Sequence, residues 1–145
     1  MPSSSFLDPR TFDGGVIGGT HTINLFIGDV IASQTNLRRS AFVCPYDIIP
    51  LALDLNTLAV AGGTATARLQ NVTDTTTVFA STNLASAAGV RNTTPPTPAA
   101  GTTGTVIPKN KNLELQVTTP GGVTVTGMWA QFTFLIAGVA DGRTL

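Results

Sequence analysis

The sequence predicts an all-β fold: an antiparallel β-sandwich of jelly-roll-like form, carrying an extended N-terminal arm. Three observations point there. Seven or eight short stretches are β-branched or alternate apolar with polar residues, the period of strands with one buried face. Gly and Pro turns separate these stretches. A sustained 3.6-residue period is missing. At 145 residues the chain is one domain long and can bury a core without disulfides or metals.

Taken in order, residues 1–20 read as the arm and residues 21–145 as the sandwich. Pro2, Pro9, Gly14-Gly15 and Gly18-Gly19 break regular structure in the arm. Phe6, Leu7, Phe12, Val16 and Ile17 are apolar, which a purely solvated tail has little use for. The arm therefore docks on something, either a partner or its own domain. Thr22 to Ile31, or from Thr20 if Thr20 and His21 are included, is β-branched and apolar and predicts the first strand. Arg38 to Val43 gives a short strand that stops at Pro45. Ile48 to Val60 alternates Leu51, Leu53 and Leu55 with Ala52, Asp54 and Asn56, a half-buried strand. Gly62-Gly63 turns the chain into a strand over Thr64 to Val72, which Thr75 to Ala80 extends or follows. Ser81 to Val90 is alanine-rich with a candidate cap, and predicts one short helical turn. Arg91 to Gly104 holds Pro95, Pro96 and Pro98 and is a long loop.

Leu113 to Val117 alternates cleanly, and Pro120-Gly121-Gly122 is a turn. Val123 to Ile136 is the longest strand pattern. Its alternation changes sense near Gly127, which is what a bulge does. Trp129 in this strand is expected to be mostly buried, in the core or at a subunit contact.

Composition narrows function. Eight Lys+Arg balance eight Asp+Glu, and charged residues are 11% of the chain. Nucleic-acid binding needs a cationic surface to displace counterions, so no nucleic-acid partner is expected. Threonine, with 24 copies, makes the surface hydroxyl-rich and poorly self-repelling, which suits a protein that lives assembled. The longest apolar run falls well short of the ~20 residues that span a bilayer, so no membrane is expected. Met1-Pro2-Ser3-Ser4-Ser5 lacks the charged and apolar regions of a secretory signal, which points to a protein made in a cytoplasm.

Reactive groups are few. Cys44 is the sole cysteine, so neither an intrachain disulfide nor a cysteine metal site can form, and it reads as a small core residue. His21, the sole histidine, reads as a hydrogen-bonded strand-edge residue. The aspartates are scattered, and Glu114, the sole glutamate, is expected on a solvent-facing strand position. Nucleophile-elbow, zinc-protease and phosphate-loop motifs are all missing from the sequence. Neither an enzymatic activity nor a cofactor or metal is expected. Arg38-Arg39 is the only basic pair, able to hold a partner carboxylate by bidentate hydrogen bonds or to serve as one exposed and one packed side chain. Asn71-Val72-Thr73 and Asn92-Thr93-Thr94 match the glycosylation pattern, with no secretory signal to give it meaning.

The segment Arg38-Arg39-Ser40-Ala41-Phe42-Val43-Cys44-Pro45-Tyr46-Asp47, running into Ile48-Ile49-Pro50-Leu51, resembles small β-sandwich capsid decoration (cement) proteins of tailed bacteriophages. Val106 to Val117 is similar to their late turn into an alternating strand, with Asn110-Lys111-Asn112 where a Gly-Asp pair is frequent. The resemblance covers roughly residues 37 to 137 and is one of turns and strands. It implies a structural protein on the outer surface of a virion head, bound to the major capsid protein and stabilising contacts between capsomers. It implies a homo-oligomer, a trimer first and a dimer second. The arm would be the clamp, with Phe6, Leu7 and Phe12 as anchors and Arg38 and Arg39 as further interface residues. A tail or head-fibre component is the alternative within that class. A carbohydrate-binding β-sandwich module is the alternative outside it; it would stack sugars on exposed aromatics, whereas Trp129 and Tyr46 lie in apolar or strand-end contexts.

Overall fold

In the computed structural model the described residues are 19–84 and 105–137. Eight strands run through them: β1 (Thr20–Val30), β2 (Gln34–Val43), β3 (Ile48–Asn56), β4 (Ala59–Ala61), β5 (Thr66–Asn71), β6 (Thr76–Asn83), β7 (Asn112–Thr119) and β8 (Thr124–Ile136). They form two four-stranded antiparallel sheets. In sheet A, β8 is central, with β1 on one side and β3 and the short β4 on the other. Sheet B has the order β2-β7-β5-β6. The pairings nest: β1 with β8, β2 with β7, Ile48 with Ile107, and β5 with β6. A long hairpin rolled up on itself gives this pattern, which is jelly-roll connectivity. The all-β sandwich expected from periodicity is the fold observed.

β8 shows how sequence sets the layers. Met128, Ala130, Phe132 and Phe134 point into the core, as do Val125 and, before the strand, Val123. The two sets have opposite parity, and the switch falls at Gly127, whose φ is +58°. A Cβ there would lie 2.6 Å from Leu58 Cδ1, so glycine is required by both backbone and space. The core filled by the two sheets centres on Phe132, fully buried, with Phe79 and Phe42 set edge-on to its ring. Leu25, Leu53, Leu55, Leu69, Leu113 and Leu115 complete it.

Three expectations are corrected. The run Ile48 to Val60 is two strands, and the β3–β8 register shifts between Pro50 and Ala52. That shift turns Leu51 outward while Leu53 and Leu55 stay buried, so the three leucines do not share a face. Proline is tolerated there because β3 is an edge strand. The helical turn expected from Ser81 is strand through Asn83, because Thr82 and Asn83 pair with Ala67 and Thr66 across the sheet. Pairing to a neighbour outweighs weak local helix propensity. Residues 85–90 of that expected turn, the loop 91–104, and residues 1–18 of the arm with Phe6, Leu7 and Phe12 lie outside the described residues. The third correction concerns Trp129. It pairs with Phe26 on the outer face of sheet A and is partly buried there, so of the two places expected for it the core is ruled out. The parity switch at Gly127 assigns it to that face.

Candidate functional site

The reactive groups singled out by the sequence hold the fold together. Cys44 is fully buried; its backbone N–H donates to Lys111 O (2.9 Å) and its carbonyl accepts from Asn110 N (2.7 Å). Burial pushes its thiol up to about 11, which keeps it protonated and unreactive at neutral pH. His21 stands on the edge strand β1 with its ring stacked on Phe134, centroids 5.8 Å apart.

The carboxylates are tied to local structure. Asp29 Oδ1 accepts from Gly127 N (2.8 Å), fastening the β1 bulge to the β8 bulge. Asp47 Oδ1 accepts from Lys109 N (2.9 Å). Asp74 accepts from Lys111 Nζ (2.8 Å) and Asn71 Nδ2 (3.0 Å), and the Lys111 hydrogen bond foremost holds its carboxyl below the ordinary value. Asn71 is buried and its Oδ1 accepts from Thr73 N and Asp74 N, so this side chain shapes the β5–β6 turn and is not placed to carry a glycan. Among the described residues no three His, Cys, Asp or Glu side chains gather as a metal would need.

Arg38 and Arg39 are sent to different places. The β2–β7 register shifts between Arg38 and Ser40, so Arg39 is the extra residue. Arg38 faces outward on sheet B, 3.3 Å from Glu114. Arg39 turns back to sheet A and donates to the carbonyls of Asp29 (2.6 Å) and Ile27 (3.4 Å). Only Arg38 shares a face with the rest of sheet B's polar residues. Glu114 is on the outward side as expected, but this ion pair and its neighbours leave its side chain only 14% exposed.

The outer face of sheet B is a set of mutually bonded polar groups. Arg38, Gln116 and Arg68 form one row across β2, β7 and β5, and Arg68 Nε donates to Gln116 Oε1 (3.0 Å). In the row beside it Thr77 donates to Gln70 (3.2 Å). Threonine hydroxyls also serve where strands are irregular. Thr119 accepts from Gln34 N, and Thr118 from Asn36 N, across the shift at the start of β2.

The outer face of sheet A differs. Phe26, Trp129 and Asn56 stand side by side on β1, β8 and β3. Phe26 is 63% exposed and stacks on Trp129, with centroids 6.4 Å apart and planes 26° from parallel. Leu58, 57% exposed, lies against Gly127. The next row along the strands is Asn24, Gln131 and Asp54, and the one after it Thr22 and Thr133, whose hydroxyls are 3.0 Å apart, with Ala52. Sequence reasoning missed Phe26. The signal was Leu25-Phe26-Ile27: with Leu25 and Ile27 inward, the ring between them has to face out.

No protein family and no curated protein matches the chain. Solved structures similar to it include chains of virus particles. One is a chain of the cyanophage Pam1 capsid asymmetric unit, with TM-score 0.44 and 16% identity, covering 81% of this chain and 86% of that one. Another is from infectious bursal disease virus, Gx strain, with TM-score 0.34 and 14% identity over 85% of this chain and 35% of that one. A third is the VP2 subviral particle of infectious bursal disease virus, with TM-score 0.34 and 15% identity over 86% and 34%. The chain spans about a third of the length of these two bursal disease virus chains.

Proposed function

We propose that this chain is a structural virion protein, a decoration or cement protein that binds the outside of a phage head and stabilises contacts between capsomers. The observation that carries the reading is what the charged side chains do. Arg38 pairs with Glu114, Arg39 binds β1 carbonyls, Arg68 binds Gln116, Lys111 binds Asp74, and Asp29 binds the Gly127 amide. Among the described residues these groups brace strands, and what is left for a partner is chiefly hydroxyl, amide and apolar surface with open strand edges. Such a surface repels neighbours weakly and is suited to a crowded, permanent lattice. In this reading the major capsid protein is the partner and the head's outer surface the location. The chain forms a closed homo-oligomer, a trimer before a dimer, at a local symmetry axis.

The arm supplies the clamp. Phe6, Leu7 and Phe12 are its anchors. The roughly eighteen residues ahead of β1 reach on the order of 60 Å when extended, enough to cross a subunit boundary. Each buried phenylalanine contributes roughly 1.5–3 kcal/mol, and backbone pairing along an open strand edge adds to that. The test is co-sedimentation with expanded empty heads. The full chain should bind saturably, and a chain lacking residues 1–18 should stay folded by circular dichroism and bind much more weakly. Equal binding by the two would remove the clamp; no binding by either would remove the cement role.

A further inference from the structure

We propose a second site on this protein: the outer face of sheet A around Phe26 and Trp129 binds a neutral oligosaccharide. A sugar ring offers two surfaces to a protein. One is an apolar face of C–H groups, which packs on the flat face of an aromatic ring. The other is a rim of hydroxyls, each both donor and acceptor. Phe26 and Trp129 are two nearly parallel rings stacked on one another, with planes 26° apart and centroids 6.4 Å apart, so the aromatic surface open to a ligand is chiefly that of Phe26. Phe26 is 63% exposed, and Leu58 at 57% exposure flanks the rings above Gly127.

The polar groups beside the rings are of the matching kind. Asn24, Gln131 and Asp54 form the adjacent row, about 7 Å along the strands, since same-face residues are two apart. That is close to the width of one pyranose ring. A sugar on the rings therefore has its hydroxyls, or the next sugar unit, above this row. Asparagine and glutamine amides both donate and accept, as hydroxyls do.

Charge narrows the ligand class. Asp54 is the one charged side chain in these rows, and Arg39, at the β1 edge, spends its guanidinium on the Ile27 and Asp29 carbonyls. The face thus matches a neutral glycan and disfavours sialylated, sulfated or phosphorylated ones. Binding here would attach a head to a saccharide-coated surface, an activity separate from holding capsomers.

Trp129 is the chain's sole tryptophan, so intrinsic fluorescence reads this site directly. The full chain is titrated with neutral trisaccharides built on glucose, galactose or N-acetylglucosamine, and with sialyllactose as the anionic arm. The expected result is a saturable emission change with at least one neutral sugar at millimolar concentration or below, and at least tenfold weaker binding of sialyllactose. Phe26→Ala should weaken the neutral sugar at least tenfold. Leu51→Ala, an exposed leucine displaced by the β3 bulge, should not. Both variants should co-sediment with heads like the parent. Any of these results would overturn the proposal: no saturable change with any sugar, preference for the anionic one, parental sugar binding by Phe26→Ala, or loss of head binding by that variant. The last would make the face a shell contact. A Trp129 shift that follows protein concentration without sugar would make it a self-contact and equally end the glycan reading.

Discussion

The outer faces of the two sheets start from the same alternation and end in opposite states. On sheet B every second residue of β7 and β5 is polar, and these groups bond one another: Arg38 with Glu114, Arg68 with Gln116, Thr77 with Gln70. On sheet A the corresponding positions of β1 and β8 put Phe26 and Trp129 at the surface beside amides. A face whose polar groups are mostly hydrogen-bonded already, Glu114 Oε2 and Asn112 Oδ1 excepted, gains little by meeting a partner, because binding exchanges one set of hydrogen bonds for another. A face with exposed rings gains from any contact that removes them from water. Sheet B's face serves the fold, and sheet A's face is the better candidate for recognition.

The largest expected effect comes where sheet A's face meets its backbone. Gly127→Ala places a Cβ in the left-handed region and against Leu58, and should cost about 1–3 kcal/mol in urea unfolding. Adding Leu58→Ala should return the part due to overlap and leave the part due to φ. Full recovery by the double variant would show that the backbone there is unstrained.

A smaller effect is expected on sheet B. Gln116→Ala removes the acceptor of Arg68 from a site only 3% exposed, and should cost about 0.5–1.5 kcal/mol. Arg68→Ala combined with it should cost less than the sum of the single changes, since the two side chains share one bond. Additivity would mean that sheet B's polar face is not a connected network, and the contrast between the faces would weaken.

The smallest effect on stability should be that of Phe26→Ala, about 0.5 kcal/mol or less, because the ring is mostly in water already. The emission of Trp129 should shift to longer wavelength as its stacked neighbour is lost. A loss of several kcal/mol would instead identify Phe26 as part of the core, and sheet A's face would no longer be a surface available to ligands.

Much of this was legible in the chain and some was not. Alternation through β5, β7 and β8 revealed which residues share a face, and glycine in mid-strand marked where β8 changes parity. Leu51 shows the limit: its period matched Leu53 and Leu55, yet a bulge beside Pro50 puts it in solvent. Arg38 and Arg39 show the same limit, since a shift in the β2–β7 register separates neighbours that a regular strand would simply alternate. Ser81 to Asn83 followed their partner strand and not their own propensity.

The sequence by itself determined that the fold is all-β, roughly where strands begin and turn, and that charge is too sparse for electrostatic recognition. These follow from local properties, namely side-chain period, Gly and Pro at turns, and composition. Only the tertiary structure decided which parity of each strand faces the core, that bulges fall at Arg39 and Leu51, and that Phe26 and Trp129 meet on an outer face. Those depend on pairing between residues as far apart as β1 and β8, and period two fixes a side chain's face only relative to its own strand. The nested pairing supplies the missing reference. Once β8 lies between β1 and β3 with Phe132 inward, Trp129 has to face out beside Phe26.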